Sequence, residues 1–254
     1  DFNLGENMKI GMVCYPSHGG SGTIATELGK ALGVKGHQVH FISYSIPYRL
    51  REYNENVCFH EVNMMKYPLF EYPPYSLALS VKMAELIEKE KLDLLHVHYA
   101  IPHSTSAYLA KQMVNGNVKV ITSLHGTDVT IVGSDESYYR INKFSIERSD
   151  GITTVSEFLK REAKEKFHLN KPIKVIPNFV DTNLFTKTHR CRAKCLFAPK
   201  GERIIMHVSN FRPIKRIEDV VSAFKLINDE ISSKLLMVGD GPMMSSALRL
   251  VEKL

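Results

Sequence analysis

The chain has 254 residues, of which 44% are hydrophobic and 24% charged, a balance typical of a globular protein with a large buried core. Its apolar runs are much shorter than the ~20 residues of a membrane-spanning helix, which argues against that class of protein. The net charge is +6, but the basic residues are scattered along the chain, so the sequence favours small anionic ligands over nucleic acid.

The cysteines and the N-terminus indicate the compartment. Cys14 lies in a predicted buried strand, and no cysteine spacing indicates a disulfide framework, so we expect a reducing cytoplasm. No signal-peptide pattern precedes the first strand. Residues 1–7 are polar and precede Met8, so we expect a tag remnant or a disordered tail there.

The first predicted unit, residues 8–32, contains a strand, a glycine-rich turn and a helix. The strand covers residues 10–14, and the turn contains Gly19, Gly20 and Gly22. Glycines let the backbone come close to a ligand, and the free N–H groups at a helix start favour an anion. The spacing G-G-x-G differs from the G-x-G-x-x-G of dinucleotide-binding proteins, so we do not predict an NAD site. A tight turn without a ligand is the alternative.

Strands and helices then alternate. The predicted strands are 38–43, 57–62, 93–98, 119–124, 151–155 and 174–176, and the predicted helices are 76–89, 104–114, 139–148 and 157–167, the last capped by Ser156. This alternation predicts a mostly parallel sheet, in which ligands bind at the carboxyl ends of the strands. Polar clusters fall at those ends, at 17–22, 98–104, 123–128 and Asn178.

The composition changes in the last third of the chain. Residues 182–202 are basic and lack apolar periodicity, which predicts an inter-domain connection. His189, Cys191 and Cys195 lie there without the second ligand pair of a zinc site, so we predict no metal. A second series then begins, with strands 203–208 and 234–238 and helices 217–227 and 243–254. Two strands and two helices cannot bury a doubly wound sheet, so we expect an incomplete domain at 203–254.

Five ordered motifs carry a family resemblance: GGSG, HVHYAIPHS, SLHGTD, PNFVD, and SNFRPIKR with VGDGP. Together they resemble the retaining GT-B glycosyltransferases of the glycogen-synthase-like family, family 4. The resemblance implies an α/β fold with two Rossmann-like doubly wound domains, the first at 8–181 for the acceptor and the second, truncated here, for the nucleotide sugar. The segments YPSHGGSGTIATELG and SLHGTDVT are most similar to bacterial members that transfer N-acetylglucosamine from UDP-N-acetylglucosamine to L-malate in bacillithiol synthesis.

The resemblance also implies the ligand-binding residues. The expected acceptor-binding residues are Ser17, Tyr99, Thr122 or Ser123, and Arg140, with Arg148 as the weaker substitute for Arg140. Arginine is the natural bidentate partner of a carboxylate, although on a helix it can equally be a solvated charge. The expected donor-binding residues are Gly19, Gly20, Asn210, Arg212, Lys215, Gly239 and Gly241.

His125 is the implied catalytic residue, because it matches a histidine beside the transferred sugar; a core histidine bonded to the backbone is the alternative. We expect Asp128 to orient that turn rather than to act as a base. The acceptor hydroxyl would attack the sugar on the face that UDP leaves, with retention, and the leaving phosphate would take the proton. No metal or other cofactor is implied.

The sequence departs from the family at two points. Asn210 stands where relatives hold an arginine, and the acidic E-x7-E segment would lie beyond residue 254, so we expect this chain to transfer sugar poorly or not at all. A related enzyme with a lipid, phosphosugar or saccharide acceptor is one alternative, and a fragment that only binds ligand is another. A nucleic-acid binder ranks third, and homo-oligomer formation is compatible with the sequence.

Overall fold

The computed structural model describes residues 7–17, 19–186 and 192–254, without the side chains of residues 192 and 193. The chain divides between Val180 and Asp181 into two compact units, which we call unit 1 and unit 2. Residues 1–6 of the predicted tail lie outside the described residues, and so do His189 and Cys191 of the segment weighed as a metal site.

Unit 1 is built around seven parallel strands in the order β3-β2-β1-β4-β5-β6-β7. The strands are β1 (Lys9–Val13), β2 (Gln38–Ser43), β3 (Val57–Glu61), β4 (Leu94–His98), β5 (Lys119–Leu124), β6 (Gly151–Thr154) and β7 (Ile173–Val175). Every residue of β1 after Lys9 is buried, as expected of a central strand covered on both faces. The sequence predicted each of these strands to within a residue at either end.

The strand order reverses beside β1. Met12 of β1 is in register with Phe41 of β2 on one side and with His96 of β4 on the other. The chain therefore winds outward in both directions from the β1–β4 pair. The carboxyl ends of these two strands form the topological switch point, where open α/β sheets bind their ligands.

The helices of unit 1 are α1 (Gly20–Val34), α2 (Tyr75–Glu90), α3 (Thr105–Met113), α4 (Thr127–Thr130), α5 (Glu136–Arg148) and α6 (Glu157–Phe167). Ser156 caps α6 by accepting a hydrogen bond from the Leu159 N–H at 3.2 Å, as predicted. Helix α5 begins before the predicted residue 139, because Asp135 caps it by accepting from the Ser137 N–H at 2.9 Å.

Both faces of the sheet carry a hydrophobic core. Leu79 and Met83 of α2 pack with Leu95 and Val97 on one face. On the other face α1 lies close to β2, because a Cβ at Gly29 would stand 2.7 Å from Phe41 Cε2. The close packing of α1 against β2 fixes where the turn before α1 lies relative to the end of β1.

Unit 2 contains two parallel strands, β8 (Arg203–Val208) and β9 (Ser233–Val238). Its helices are α7 (Arg192–Phe197), α8 (Ile217–Glu230) and α9 (Met244–Lys253). Helix α7 lies inside the segment 182–202 that we predicted to be an inter-domain connection, and its six residues are too few to show a helical period. Throughout the described part of the chain, no helix is long and apolar enough to cross a membrane.

Candidate functional site

The turn after β1 brings the start of α1 to the switch point. Helix α1 begins at Gly20, and no described side chain caps its first N–H groups. An uncapped helix start offers backbone donors and a positive dipole end to an anion. A Cβ at Gly22 would stand 2.9 Å from the Ser17 carbonyl oxygen, so glycine is required there for the turn to fold against the helix.

Gly19 and Gly20 differ from Gly22. Apart from its chain neighbours and its own helix backbone, a Cβ at Gly20 would have no described atom within 4 Å, and one at Gly19 would meet only Ser17 Oγ, at 3.5 Å. Both glycines are exposed. The described fold therefore does not itself require glycine at either position.

The turn after β4 contains a strained tyrosine. Tyr99 has φ 96°, a value that side-chain-bearing residues rarely adopt and that costs of order 1–3 kcal/mol. Its N–H donates to the Ser123 carbonyl at 2.9 Å, and its ring meets that of Tyr15 edge-on with 5.6 Å between centroids. Burial and the nearby Asp128 carboxylate raise the pKa of Tyr99 to about 12. The strain thus presents a neutral phenol beside the turn of β1.

Asp128 fastens the turn after β5. Its buried carboxylate accepts from the N–H groups of Gly126 at 2.8 Å and His125 at 3.1 Å, and from the backbone N–H of Ala100. Burial raises the pKa of Asp128, although these three N–H groups oppose that shift. The expectation that Asp128 orients this turn is confirmed, and the same carboxylate joins the turns after β4 and β5.

Three histidine rings lie below these turns, with His96 and His98 on one face of β4 and His125 directly after β5. His98 Nδ1 is 2.9 Å from Nε2 of the half-buried His125, and His96 Nε2 is 2.8 Å from Ser123 Oγ. Burial lowers the pKa of His96 and of His125 to about 4, and that of His98 well below the usual value. All three rings are therefore neutral at pH 7.

A cavity of about 420 Å³ opens at the switch point. Tyr15 and Tyr99 line it from the turns after β1 and β4, and Tyr138 and Ile141 line it from α5. The described residues around this cavity carry no formal charge. A charged ligand at this place would therefore need its counter-charge from the neighbouring helix start or from a side chain that moves in.

The predicted acceptor residues are only partly brought together. Ser17 is exposed in the turn before α1, and Tyr99 lines the cavity. Ser123 is nearly buried, with its hydroxyl between His96 and Thr153 Oγ1. Thr122, its neighbour, faces the opposite side of β5.

Thr122 lies in the interior. It is fully buried, and its hydroxyl is 3.0 Å from Ser104 Oγ and 2.6 Å from Ser149 Oγ. Successive strand residues point to opposite faces, so Thr122 and Ser123 cannot both reach one ligand. The structure does not bring Thr122 to the cavity.

The two candidate arginines lie on α5. Arg140 is exposed and, with Lys166, lines a separate cavity of about 580 Å³. Its helix neighbours Tyr138 and Ile141 line the first cavity, but Arg140 itself does not. Arg148 lies at the far end of α5, with its guanidinium 5.2 Å over the Phe144 ring, and is not brought to these turns.

Sequence reasoning missed Tyr15, His98 and Tyr138. His98 begins the polar cluster predicted at 98–104 but was given no role, and Tyr15 follows the carboxyl end of its strand, a position that could have marked it. His98 is also two residues from His96 on the same strand, which predicts one shared face. Tyr138 was missed because the start of α5 was placed too late.

In unit 2 the predicted donor residues gather at the ends of β8 and β9. Asn210, Arg212 and Lys215 are all exposed in the turn after β8. The Lys215 N–H donates to the Arg212 carbonyl at 2.8 Å, which closes a single turn of 3-10 helix. Two cationic side chains and one amide are thus free to meet a ligand.

Gly239 and Gly241 let the turn after β9 pack closely against the turn after β8. Both have positive φ, 141° and 153°. A Cβ at Gly239 would overlap the Ser209 carbonyl oxygen, and one at Gly241 would stand 2.8 Å from Phe211 N. The Phe211 N–H in turn donates to the Asp240 carbonyl at 2.9 Å. These glycines serve the packing of the two turns.

Across residues 7–17, 19–186 and 192–254, no three His, Cys, Asp or Glu side chains are grouped so that they could hold an ion.

Comparison with known proteins identifies the family. The sequence profile of Glycosyltransferase Family 4 matches residues 18–184, which include α1 and the turns after β4 and β5 described above. The chain belongs to glycosyltransferase family 4.

One family 4 relative is N-acetyl-alpha-D-glucosaminyl L-malate synthase from Bacillus anthracis. It is 49% identical over 248 residues, which are 97% of this chain and 65% of the relative. The chain thus spans less than two thirds of the length of that protein.

Solved structures establish the fold. A glycosyltransferase from Rickettsia africae superposes with a TM-score of 0.75 at 22% identity, over 97% of this chain and 64% of its own. An Anabaena protein, HepE, solved with UDP-glucose, gives 0.69 at 14% identity, over 97% and 65%. The predicted α/β fold of the GT-B class is confirmed.

Proposed function

We propose that this family 4 protein transfers N-acetylglucosamine from UDP-N-acetylglucosamine to the hydroxyl group of L-malate, with retention of the anomeric configuration. The observation that carries this proposal is the 49% identity to a relative named for that product, an identity that extends over nearly the whole chain. The strand-end geometry of unit 1 supports it, since an uncapped helix start follows β1 and a cavity without a charged lining residue among those described lies at the same switch point.

Unit 1 would bind L-malate. One carboxylate would accept from the free N–H groups at the start of α1 and from the exposed Ser17 hydroxyl. Arg140 would turn from its own cavity to the second carboxylate, and the Tyr99 phenol would donate to the same ligand. Ser123 supports this layer from below through His96 and Thr153.

The chemistry would need no protein base. His125 is neutral and half-buried, and it would hydrogen-bond an oxygen of the transferred sugar. Asp128 is occupied by three backbone N–H groups, so it is not free to accept a proton from the acceptor. The malate hydroxyl would attack C1 as the bond to UDP breaks, and the leaving phosphate would take the proton.

Unit 2 would bind the diphosphate of the donor. Arg212 and Lys215 supply exposed positive charge, and Asn210 supplies an amide. Cations held at a departing phosphate stabilise its developing charge, so we propose that no metal is needed. At Gly19 and Gly20 the backbone leaves room for a phosphate or a carboxylate to approach. The reaction would take place in the cytoplasm, where the free thiols of Cys14, Cys58 and Cys195 stay reduced.

A second candidate is the same transfer to another acceptor. The cavity at the switch point is lined by three tyrosines and has no charged lining residue among those described, which suits an uncharged ring at least as well as a dianion. Inositol phosphate is the most informative competitor, because it combines such a ring with an anionic group.

The test is a transfer assay with the full gene product. UDP-N-acetylglucosamine is mixed with L-malate or with inositol phosphate, UDP release is measured, and the anomeric configuration of the product is read by NMR. We expect an α-linked malate product. Preference for inositol phosphate would support the second candidate, and a β-linked product would overturn the retaining mechanism. Malate binding without transfer would favour a protein that only binds ligand.

A further inference from the structure

His98 is a buried polar group that contacts the ring of the candidate catalytic residue, His125. It is 1% exposed, and its Nδ1 lies 2.9 Å from His125 Nε2. Its other ring nitrogen, Nε2, is buried and has no hydrogen-bond partner among the described residues. A buried nitrogen without a partner limits where the protons of this pair can lie, because each neutral imidazole carries only one ring proton.

The proton between the two rings has two arrangements. If His125 donated, His98 would carry its own proton on Nε2, and an N–H group would be buried unpaired. If His98 donates from Nδ1, only a bare lone pair is buried, and unpaired acceptors are less rare in protein interiors than unpaired N–H groups. The second arrangement leaves His125 with its proton on Nδ1.

His103 shows that an unprotonated Nε2 can be buried without a hydrogen bond in this group of histidines. The ring donates from Nδ1 to the His98 carbonyl, which can only accept. Burial lowers the pKa of His103 to about 4, so its single proton is on Nδ1, and its Nε2 is likewise buried without a described partner. The arrangement that we infer for His98 is therefore already present five residues along the chain.

The rings on either side hold His98 in place. Its centroid is 4.5 Å from that of His96 and 5.1 Å from that of His125. His96 is itself fixed by the Ser123 hydroxyl at 2.8 Å. Nδ1 of His125 makes no hydrogen bond to a described residue, so it is the nitrogen left for a ligand.

We propose that His98 is a positioning residue that holds His125 in the tautomer with its proton on Nδ1, so that His125 offers a hydrogen-bond donor and not a base. This inference rests on the proposed function for its consequence, since the oxygen that accepts from His125 belongs to the transferred sugar. A His125 ring that donates from Nδ1 cannot take the proton of the attacking hydroxyl on that nitrogen. The leaving phosphate is then the group that accepts this proton.

The test reads the tautomer directly. Two-bond ¹⁵N–¹H correlation spectra of this chain distinguish protonated from bare ring nitrogens, and the signal that is lost in His125→Gln identifies His125. We expect a protonated Nδ1 and a bare Nε2 in the wild type. His98→Phe fills the space without a donor and should shift the tautomer ratio of His125 toward Nε2–H by about fivefold, the effect of one lost hydrogen bond.

Two variants control for structure. His98→Asn places an amide N–H near the position of Nδ1 and should restore the wild-type signal, whereas a purely structural role would not be rescued. His96→Gln keeps a partner for Ser123 and should leave His125 unchanged. A wild-type His125 with its proton on Nε2, or no change in His98→Phe, would overturn the proposal. If His98→Phe does not fold, the wild-type tautomer and His98→Asn decide.

The outcome is separable from that of the proposed function. L-Malate binding is titrated by calorimetry on the same wild-type sample. Absence of binding together with the expected tautomer would count against the malate acceptor and leave the role of His98 intact. L-Malate binding together with an Nε2–H tautomer of His125 would support the malate acceptor and overturn the role of His98. In the full gene product, His98→Phe should lower kcat with little change in KM for malate.

Discussion

Two glycine-rich turns at strand ends serve opposite purposes. In unit 2, Gly239 and Gly241 have positive φ, and a Cβ at either would run into the turn after β8. In unit 1, a Cβ at Gly20 would have no described atom within 4 Å. Packing thus requires both of these glycines in unit 2, whereas in unit 1 it requires Gly22 and leaves Gly20 open. An open glycine at a helix start is the better indicator of a ligand.

The two units also differ in how their polar side chains are held. Around the switch point of unit 1, His98 and Asp128 are buried and tied to neighbouring turns. In unit 2, Arg212 and Lys215 are exposed. We therefore expect the stability of unit 1 to fall when its buried polar groups become charged or lose their hydrogen-bond partners. We expect the stability of unit 2 to fall when its turns cannot keep their backbone conformation.

The largest expected difference between the two units is in how their stability depends on pH. The pKa values of His96, His103 and His125 are about 4 in the folded chain, below the usual 6.5, because of burial. Between these values the unfolded chain binds protons that the folded chain does not, so stability is present above pH 6.5 and falls as the pH drops toward 4. The loss is about 1.4 kcal/mol per pH unit for each histidine.

All three histidines belong to unit 1, and so do all 11 tyrosines of the chain, so tyrosine fluorescence in urea reports unit 1 alone. Asp128 acts in the opposite direction, since its raised pKa favours folding at low pH, but it is one group against several. A urea midpoint that stays constant from pH 7 to pH 5 would contradict the burial of these rings.

Gly239→Ala should destabilise unit 2 by about 3–5 kcal/mol, because the added methyl overlaps the Ser209 carbonyl and the backbone has positive φ. Hydrogen exchange of residues 203–254, followed by mass spectrometry, measures this. The matched control is Gly201→Ala, with φ 84° and no described atom within 4 Å of its Cβ, which should cost about 1 kcal/mol. Equal effects of the two substitutions would show that packing is not what requires Gly239.

Asp128→Ala should destabilise unit 1 by about 2–4 kcal/mol, because it leaves buried N–H groups of His125 and Gly126 without their acceptor. Urea unfolding followed by tyrosine fluorescence measures the loss. Asp128→Asn, which keeps one acceptor oxygen, should lose less. If the alanine variant were as stable as the wild type, Asp128 would not be the fastening between the turns after β4 and β5.

The smallest effect is expected at Gly20. Gly20→Ala has room for its methyl and gains helix propensity, so its stability should stay within about 1 kcal/mol of the wild type. Gly22→Ala, two residues on, should lose about 1–3 kcal/mol because its Cβ meets the backbone of Ser17. Thermal unfolding of the pair measures the difference. A large loss at Gly20 would mean that the fold requires that glycine after all.

The sequence predicted the parallel sheet of unit 1 because buried apolar runs such as residues 10–14 and 119–124 are bounded by turn residues. It also predicted the edge of the sheet at which the candidate site lies, because the carboxyl ends of parallel strands lie together. It could not choose between Thr122 and Ser123 without knowing which face of β5 packs against Ser104 and Ser149. The strain at Tyr99 and the early start of α5 depend on tertiary contacts that no local pattern carries.

Calorimetric titration of L-malate into the wild-type chain and into Gly20→Ala tests most directly whether the switch point of unit 1 is an anionic acceptor site. Gly20→Ala is the suitable variant because its stability should be nearly unchanged. We expect the wild type to bind L-malate and Gly20→Ala to bind it about tenfold more weakly, the effect of losing about 1.4 kcal/mol of backbone contact. Equal affinities, or no binding by the wild type, would contradict an acceptor site at the start of α1.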